Sequence, residues 1–294
     1  MTMTGTNSEP VDAIRRVTTP SGVFEIHSAG THITAWDSPE FGPVLFVSPS
    51  SGYGVGTPIR GGIPLCFPWF GAGTSGQMSP SHGFGRLVNW RAESESENAL
   101  GEWTVVHSLI SDDIAGARGA DQFQHPFEAR HTATFSANSL AISLEVTNTG
   151  VEAFTFEEAL HTYFAVGSIA RTEVVGLENA RYLDKVQGSA VQNNQVQEGP
   201  VRFEGEVDRV YSSRGTTTII DGENQRLIRV EKANSATTVV WNPGPQVAAS
   251  MSDLGDDDWQ RFVCVESANT GSDAVTLAPG ASHTLSVTYT VTRA

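Results

Sequence analysis

At 294 residues, with 39% hydrophobic and 17% charged side chains, the chain is long enough to bury a sizeable core and has the balance of a soluble globular protein. A formal net charge of −15 makes nucleic acid and anionic membrane surfaces poor partners, and neither is expected to bind. Two cysteines, Cys66 and Cys264, are too few for a disulfide framework, and the opening MTMTGTNSEPVDAIRR has no apolar run of the kind that marks a secretory signal, so a cytoplasmic location is expected.

Residues 1–15 are polar and read as a flexible segment ahead of one large domain at 16–294. Short β-like runs follow at 23–27, 31–36 and 43–48, separated by glycine, proline and serine. A stretch without strand or helix periodicity then fills 58–90. Beyond it come runs at 102–109 and 127–135. The clearest lies at 139–147, where Leu140, Ile142, Leu144 and Val146 alternate with Ala141, Ser143, Glu145 and Thr147. Further strands are expected at 153–157, 160–166, 171–175, 216–220, 227–231, 237–242, 261–266 and 283–291. The best helical window is a short turn at 256–261, opened by aspartates. Many short strands, no fixed repeat and no shift in composition predict an all-β sandwich in a single large domain with very little helix.

The stretch 58–90 is the chain's most singular segment. Long loops in compact domains are usually functional or disordered, and its aromatics and prolines argue for order. Arg60 and Arg86 each sit beside a glycine, where backbone can approach a ligand closely. An ordered loop presenting positive charge to a small anion is expected. Other chemistries lack their patterns. Gly52, Gly54 and Gly56 are not set between a strand and a helix as a nucleotide loop requires, and no G-x-S-x-G elbow occurs. The eight histidines show no zinc spacing, and His27 and His32 read as strand residues. The acidic run at 253–258 lacks the spacing of a calcium loop and reads as a solvated turn. No metal and no cofactor is expected.

Three constellations remain. Arg60 and Arg86 offer guanidinium forks suited to phosphate or carboxylate, each charge-assisted bond contributing about 1.5–3 kcal/mol; paired surface arginines are the alternative. His82 precedes Gly83, and His161 lies in EALHTYF, where strand parity puts it on one face with Ala159 and Tyr163. Such a histidine serves either as a hydrogen-bonded core residue or as a proton carrier. Glu266 ends RFVCVESAN, sharing parity with Phe262 and Cys264 on a face that otherwise reads as buried. Burial there would raise its pKa toward the range of a general base, whereas a strand-end carboxylate reaching solvent would do nothing.

Together, RGGIPLCFPWFG at 60–71, HGFGR at 82–86, ALHTYF at 159–164, WNPG at 241–244 and VCVESAN at 263–269 resemble, in order and spacing, the hexose-6-phosphate branch of the aldose 1-epimerase family. The resemblance runs from about Val17 to Val291. It implies a galactose mutarotase-like β-supersandwich with a sugar cleft, His161 and Glu266 as the catalytic pair, His82 beside them, and Arg60 and Arg86 on the phosphate or nearby sugar oxygens. Asp208, in EVDRVY at 206–211, matches the family's carboxylate on the sugar hydroxyls. Two departures stand out: Ser81 where related chains often carry glutamine, which removes or shifts a sugar contact, and Gly85 where alanine is commoner, which would loosen the loop beside Arg86. The implied ligand is a small-molecule hexose phosphate and the expected form a monomer. A mutarotase for unphosphorylated sugars and a non-catalytic sugar-phosphate-binding protein are the alternatives.

Overall fold

A computed structural model of the chain describes residues 12–186 and 193–294. Residues 1–11 of the segment expected to be flexible lie outside that range. Residues 12–15 are part of the fold: Ile14–Thr19 is a strand paired with Gly22–His27, and Asp12 meets His27 Nδ1 at 2.6 Å.

The architecture is all-β and antiparallel. Among the described residues it comprises two eight-stranded sheets, one four-stranded sheet and one two-stranded ribbon. One large sheet runs, from edge to edge, through Asn193–Val196, Arg181–Asp184, Val207–Ser212, Thr237–Asn242, Phe262–Asn269, Glu158–Leu160 and Leu65–Cys66, with Tyr163–Ala165 also on Phe262–Asn269. The other runs through Thr172–Val175, Thr217–Asp221, Arg226–Ala233, Ser282–Arg293, Ser139–Asn148, Phe127–Phe135, Trp103–Ile110 and Arg91–Glu97.

Period-two alternation sorts the strand Phe262–Asn269 between two environments. Val263 and Val265 join Ile228, Val230 and Tyr289 of the second sheet in the main core, each valine contributing about 1.5–3 kcal/mol by its burial. The two sheets also meet where Thr162 Oγ1 and Tyr289 Oη hydrogen-bond at 2.6 Å and Phe164 packs edge-on to Tyr289. Phe262 and Cys264 point the other way, into a cluster with Tyr163 and Leu254. Glu266 shares their side.

That outer face is covered around Phe262 and Cys264 by Ala248, Met251, Leu254 and Trp259, while Cys66 and Phe70 of the 58–90 stretch pack on Ala159, Val239 and Ala268. Only Leu65–Cys66 of this stretch pairs as a strand, while Ile63, Leu65, Phe67, Trp69 and Phe84 are buried in the main core. The loop is thus ordered by its aromatics, as its composition predicts. Gly83 has φ +73, and a Cβ there would collide with the Phe67 carbonyl, so only glycine lets the chain turn after His82. Gly85 does not slacken the loop: a Cβ at that position would lie 3.0 Å from Phe67 Cβ, so the backbone is already packed tightly.

Several boundaries differ from expectation. The run at 160–166 is two short strands, Glu158–Leu160 and Tyr163–Ala165, broken at His161 and Thr162. Instead of a strand at 43–48 there are Gly42–Pro43 and single bridges from Leu45 to Phe164 and from Val47 to Gly61. Arg91–Glu97 is an exposed strand without apolar alternation, legible only from its place at a sheet edge. A short helix, Gly244–Ala248, follows WNPG. The turn expected at 256–261 is a 3₁₀ turn at Asp258–Arg261. Among the described residues no helix is long and apolar enough to cross a membrane.

Candidate active site

Strand register brings the expected acid–base pair together. Ala159 pairs with Ala268, Leu160 with Ser267 and Tyr163 with Cys264; the same register sets His161 opposite Glu266. At that point the strand lets go of its neighbour. His161 N–H turns to Pro64 O and Thr162 N–H folds back to Leu160 O, and the imidazole projects over the outer face. His161 Nε2 lies 3.5 Å from Glu266 Oε1. The ring stacks on Tyr163 with centroids 5.0 Å apart and planes at 11°, and Trp241 meets it edge-on.

Burial governs the charge on the pair. It pushes His161 down to about 3, assisted by the positive fields of Arg86 and Arg60. It pushes Glu266 well above the usual carboxylate range, with Asp208 adding to the effect. Both shifts favour neutral forms, a carboxylic acid beside an imidazole. In the free site burial thus favours a protonated Glu266 and an uncharged imidazole. This neutral pair differs from a glutamate base beside a histidinium acid by one proton transfer across a short gap.

His82 sits in the left-handed region, at φ +66, a conformation that costs a side-chain-bearing residue of order 1–2 kcal/mol. Reciprocal bonds hold it there: its N–H donates to Gly71 O at 2.7 Å, and Gly71 N–H donates to His82 Nδ1 at 3.3 Å. Cys66 Sγ approaches the same nitrogen at 3.2 Å. Nδ1 is thus an acceptor, and burial keeps the ring neutral by holding its pKa well below the ordinary value. The remaining proton is on Nε2, available to a ligand oxygen. The ring packs edge-on to His161 with centroids 5.6 Å apart.

Cations surround this core. Arg60 donates to Tyr163 Oη and to Asp253 Oδ2, both at 3.0 Å. Arg86 donates to the main-chain oxygen of Ser81 at 2.9 Å and has no carboxylate partner among the described residues. Asp208, on Val207–Ser212, pairs across the sheet with Trp241, and burial raises its pKa. Lys185 Nζ stands 3.7 Å from Asp208 Oδ2 and 5.5 Å from the centre of the Phe70 ring. Beside Lys185 and Phe70 the face opens into a cavity of about 480 Å³ that also reaches Tyr211, Thr237 and Thr270.

All six expected residues, Arg60, His82, Arg86, His161, Asp208 and Glu266, therefore gather on one face. Four buried polar atoms there lack a hydrogen-bond partner among the described residues: Arg60 Nε, Arg86 Nε, His161 Nδ1 and Glu266 Oε2. Such atoms are rare in folded interiors and mark places built to meet something else. Sequence reasoning missed Lys185 and Asp253. Lys185 carries no local pattern, and Asp253 was hidden in an acidic run that reads as solvated.

The sequence matches the aldose 1-epimerase family over residues 16–290. The chain belongs to that family. It is 33% identical over 240 residues to a protein of Escherichia coli strain K12 that carries the provisional name glucose-6-phosphate 1-epimerase, covering 81% of this chain and 77% of that one. A protein of Salmonella typhimurium with the same provisional name is 32% identical over 241 residues, covering 81% and 76%. A crystal structure from Salmonella typhimurium, described provisionally as a mutarotase, superposes with a TM-score of 0.85 at 28% identity, covering 97% of this chain and 95% of that one. The mutarotase fold expected from the motifs is the fold observed, and the chain is an isomerase of the epimerase class.

Proposed function

We propose that this epimerase interconverts the α and β anomers of a hexose 6-phosphate such as glucose 6-phosphate. The observation that carries the reading is His161 facing Glu266 at 3.5 Å, with Arg60, Arg86 and Lys185 near enough for their charges to act on His161. The relatives named for glucose-6-phosphate 1-epimerase support the phosphorylated substrate. Anomer exchange takes a proton from the C1 hydroxyl and returns one to the ring oxygen. The ring opens, the aldehyde end rotates, and reclosure gives the other anomer. A pair holding one proton between an acid and a base suits that sequence in both directions, with no net proton gained or lost.

Each remaining residue has a role its geometry supports. His82 Nε2–H donates to a sugar oxygen. Asp208 accepts from sugar hydroxyls. Arg86, free of any carboxylate among the described residues, takes the phosphate together with Arg60, and Lys185 adds positive charge at the cavity mouth. Holding the sugar by its phosphate orients C1 and the ring oxygen against the pair, which is how binding energy remote from the reacting bond aids turnover. Exchange NMR between the two anomers of glucose 6-phosphate tests the reading. Catalysed exchange on the phosphate ester, with much slower exchange on glucose, is expected. No acceleration at high enzyme concentration would sink the reading, and equal rates on both sugars would move it to an unphosphorylated substrate.

A further inference from the structure

Arg60 is held on both terminal nitrogens. Nη1 donates to Tyr163 Oη, whose ring stacks on His161, and Nη2 donates to Asp253 Oδ2. Asp253 comes from a well-anchored turn: the next residue, Leu254, is buried, and Gly255 N–H donates to Asp258 Oδ2 at 2.9 Å. A carboxylate placed there offers Arg60 what a phosphate would offer, negatively charged oxygen at hydrogen-bond distance of a guanidinium edge. Yet Arg60 does not depend on Asp253 for its position, because Tyr163 anchors the other nitrogen and Ser51 Oγ accepts from its main-chain N–H at 2.8 Å.

We propose that Asp253 is a built-in counter-ion of the free site that competes with the substrate's phosphate for Arg60 and so sets how tightly the site holds anions. The proposal rests on the reading that Arg60 meets the phosphate of the sugar. Asp253 lowers the affinity of the site for every anion alike. An inorganic anion has only the arginines to hold it and is turned away. A sugar phosphate also gains the contacts of its hydroxyls with His82 and Asp208, and can displace Asp253 or share Arg60 with it. Asp253 thus weakens anion binding generally, and the hydroxyl contacts with His82 and Asp208 supply the preference for sugar phosphate over free phosphate.

The test is calorimetric titration of inorganic phosphate into the full chain at constant ionic strength, for the parent, Asp253→Asn, Asp253→Glu and the double variant Arg60→Ala/Asp253→Asn. Removing the charge should tighten phosphate binding roughly tenfold. Asp253→Glu should stay near the parent, and adding Arg60→Ala should erase the gain. Should Asp253→Asn melt below the parent, Asp253→Ser serves in its place. Phosphate binding no tighter than the parent's overturns the proposal, as does a gain that survives loss of Arg60, or no phosphate binding by any of the proteins. Because the titration needs no turnover, a protein that binds phosphate as predicted but exchanges no anomers would overturn the mutarotase reading and leave this one standing.

Discussion

At the scale of single residues, the proposed function puts most of the chemistry on His161 and Glu266, and burial favours the neutral form of each. Glu266→Gln keeps the shape and the hydrogen-bonding capacity of a carboxylic acid but can neither release nor accept the transferred proton. A fall in kcat of about 10²–10⁴-fold with KM nearly unchanged is expected, measured by anomer exchange at saturating and limiting glucose 6-phosphate. A variant that raised KM and spared kcat would show that Glu266 only binds. Both residues were legible in the sequence, because ALHTYF and VCVESAN are specific and strand parity put each side chain on a definite face. The electrostatic setting of the pair was less legible: it depends on how loops from distant parts of the chain exclude water, and on Asp208 acting on Glu266 from the next strand but one. Asp253 was illegible for a related reason: a carboxylate among three others declares its partner only when the chain is folded.

At the scale of elements, the strand carrying Tyr163 is tied into the fold by a buried ion pair. Arg226 Nε donates to Asp221 Oδ2 at 3.0 Å, and its terminal nitrogens donate to the carbonyls of Phe41, Pro43 and Ala165. Four of the five guanidinium N–H donors are used, close to the condition under which a buried pair is tolerated. Removing the guanidinium leaves the buried Asp221 without its cation, held only by Gly167 N–H, Asn224 N–H and Asn224 Nδ2. Arg226→Ala should lower unfolding stability by about 3–5 kcal/mol, read from urea denaturation, and a loss below about 1 kcal/mol would mean the pair is incidental. Sequence periodicity located most of the interior strands, including Phe127–Phe135 and Thr237–Asn242 with their observed ends. It failed on elements whose form comes from neighbours. Arg91–Glu97 is exposed along its length and shows no alternation, and the break at His161 arises because Pro64 O offers its N–H a different partner.

At the scale of the molecule, net charge and local charge have opposite signs. The chain carries −15 overall, yet Arg60, Arg86 and Lys185 converge on one face, where the charges of all three reach His161 and His82. Stability should also respond to buried neutral histidines. His131 is buried and held at about 3, by burial first and then by His107 on the adjacent strand. A base depressed in the folded state binds fewer protons there than when unfolded, so its contribution is full above about 6.5 and is lost as pH falls toward 3. Replacing it with a residue that cannot titrate, as in His131→Gln, should flatten the dependence of unfolding free energy on pH in that window, by up to about 1.4 kcal/mol per pH unit. Urea midpoints collected from acid to neutral pH would check this; parallel curves for parent and variant would refute it.

The register that sets His161 across from Glu266 also decides which genetic changes this site can survive. Side chains alternate between faces, so a slip of one position would turn the imidazole toward Tyr289 while the carboxylate stayed behind. Substitutions near the pair can be graded in effect. A single-codon insertion or deletion between His161 and Tyr163, or between Cys264 and Glu266, is instead an on–off event, and lineages that keep the activity should vary in loop length everywhere except within these two short segments.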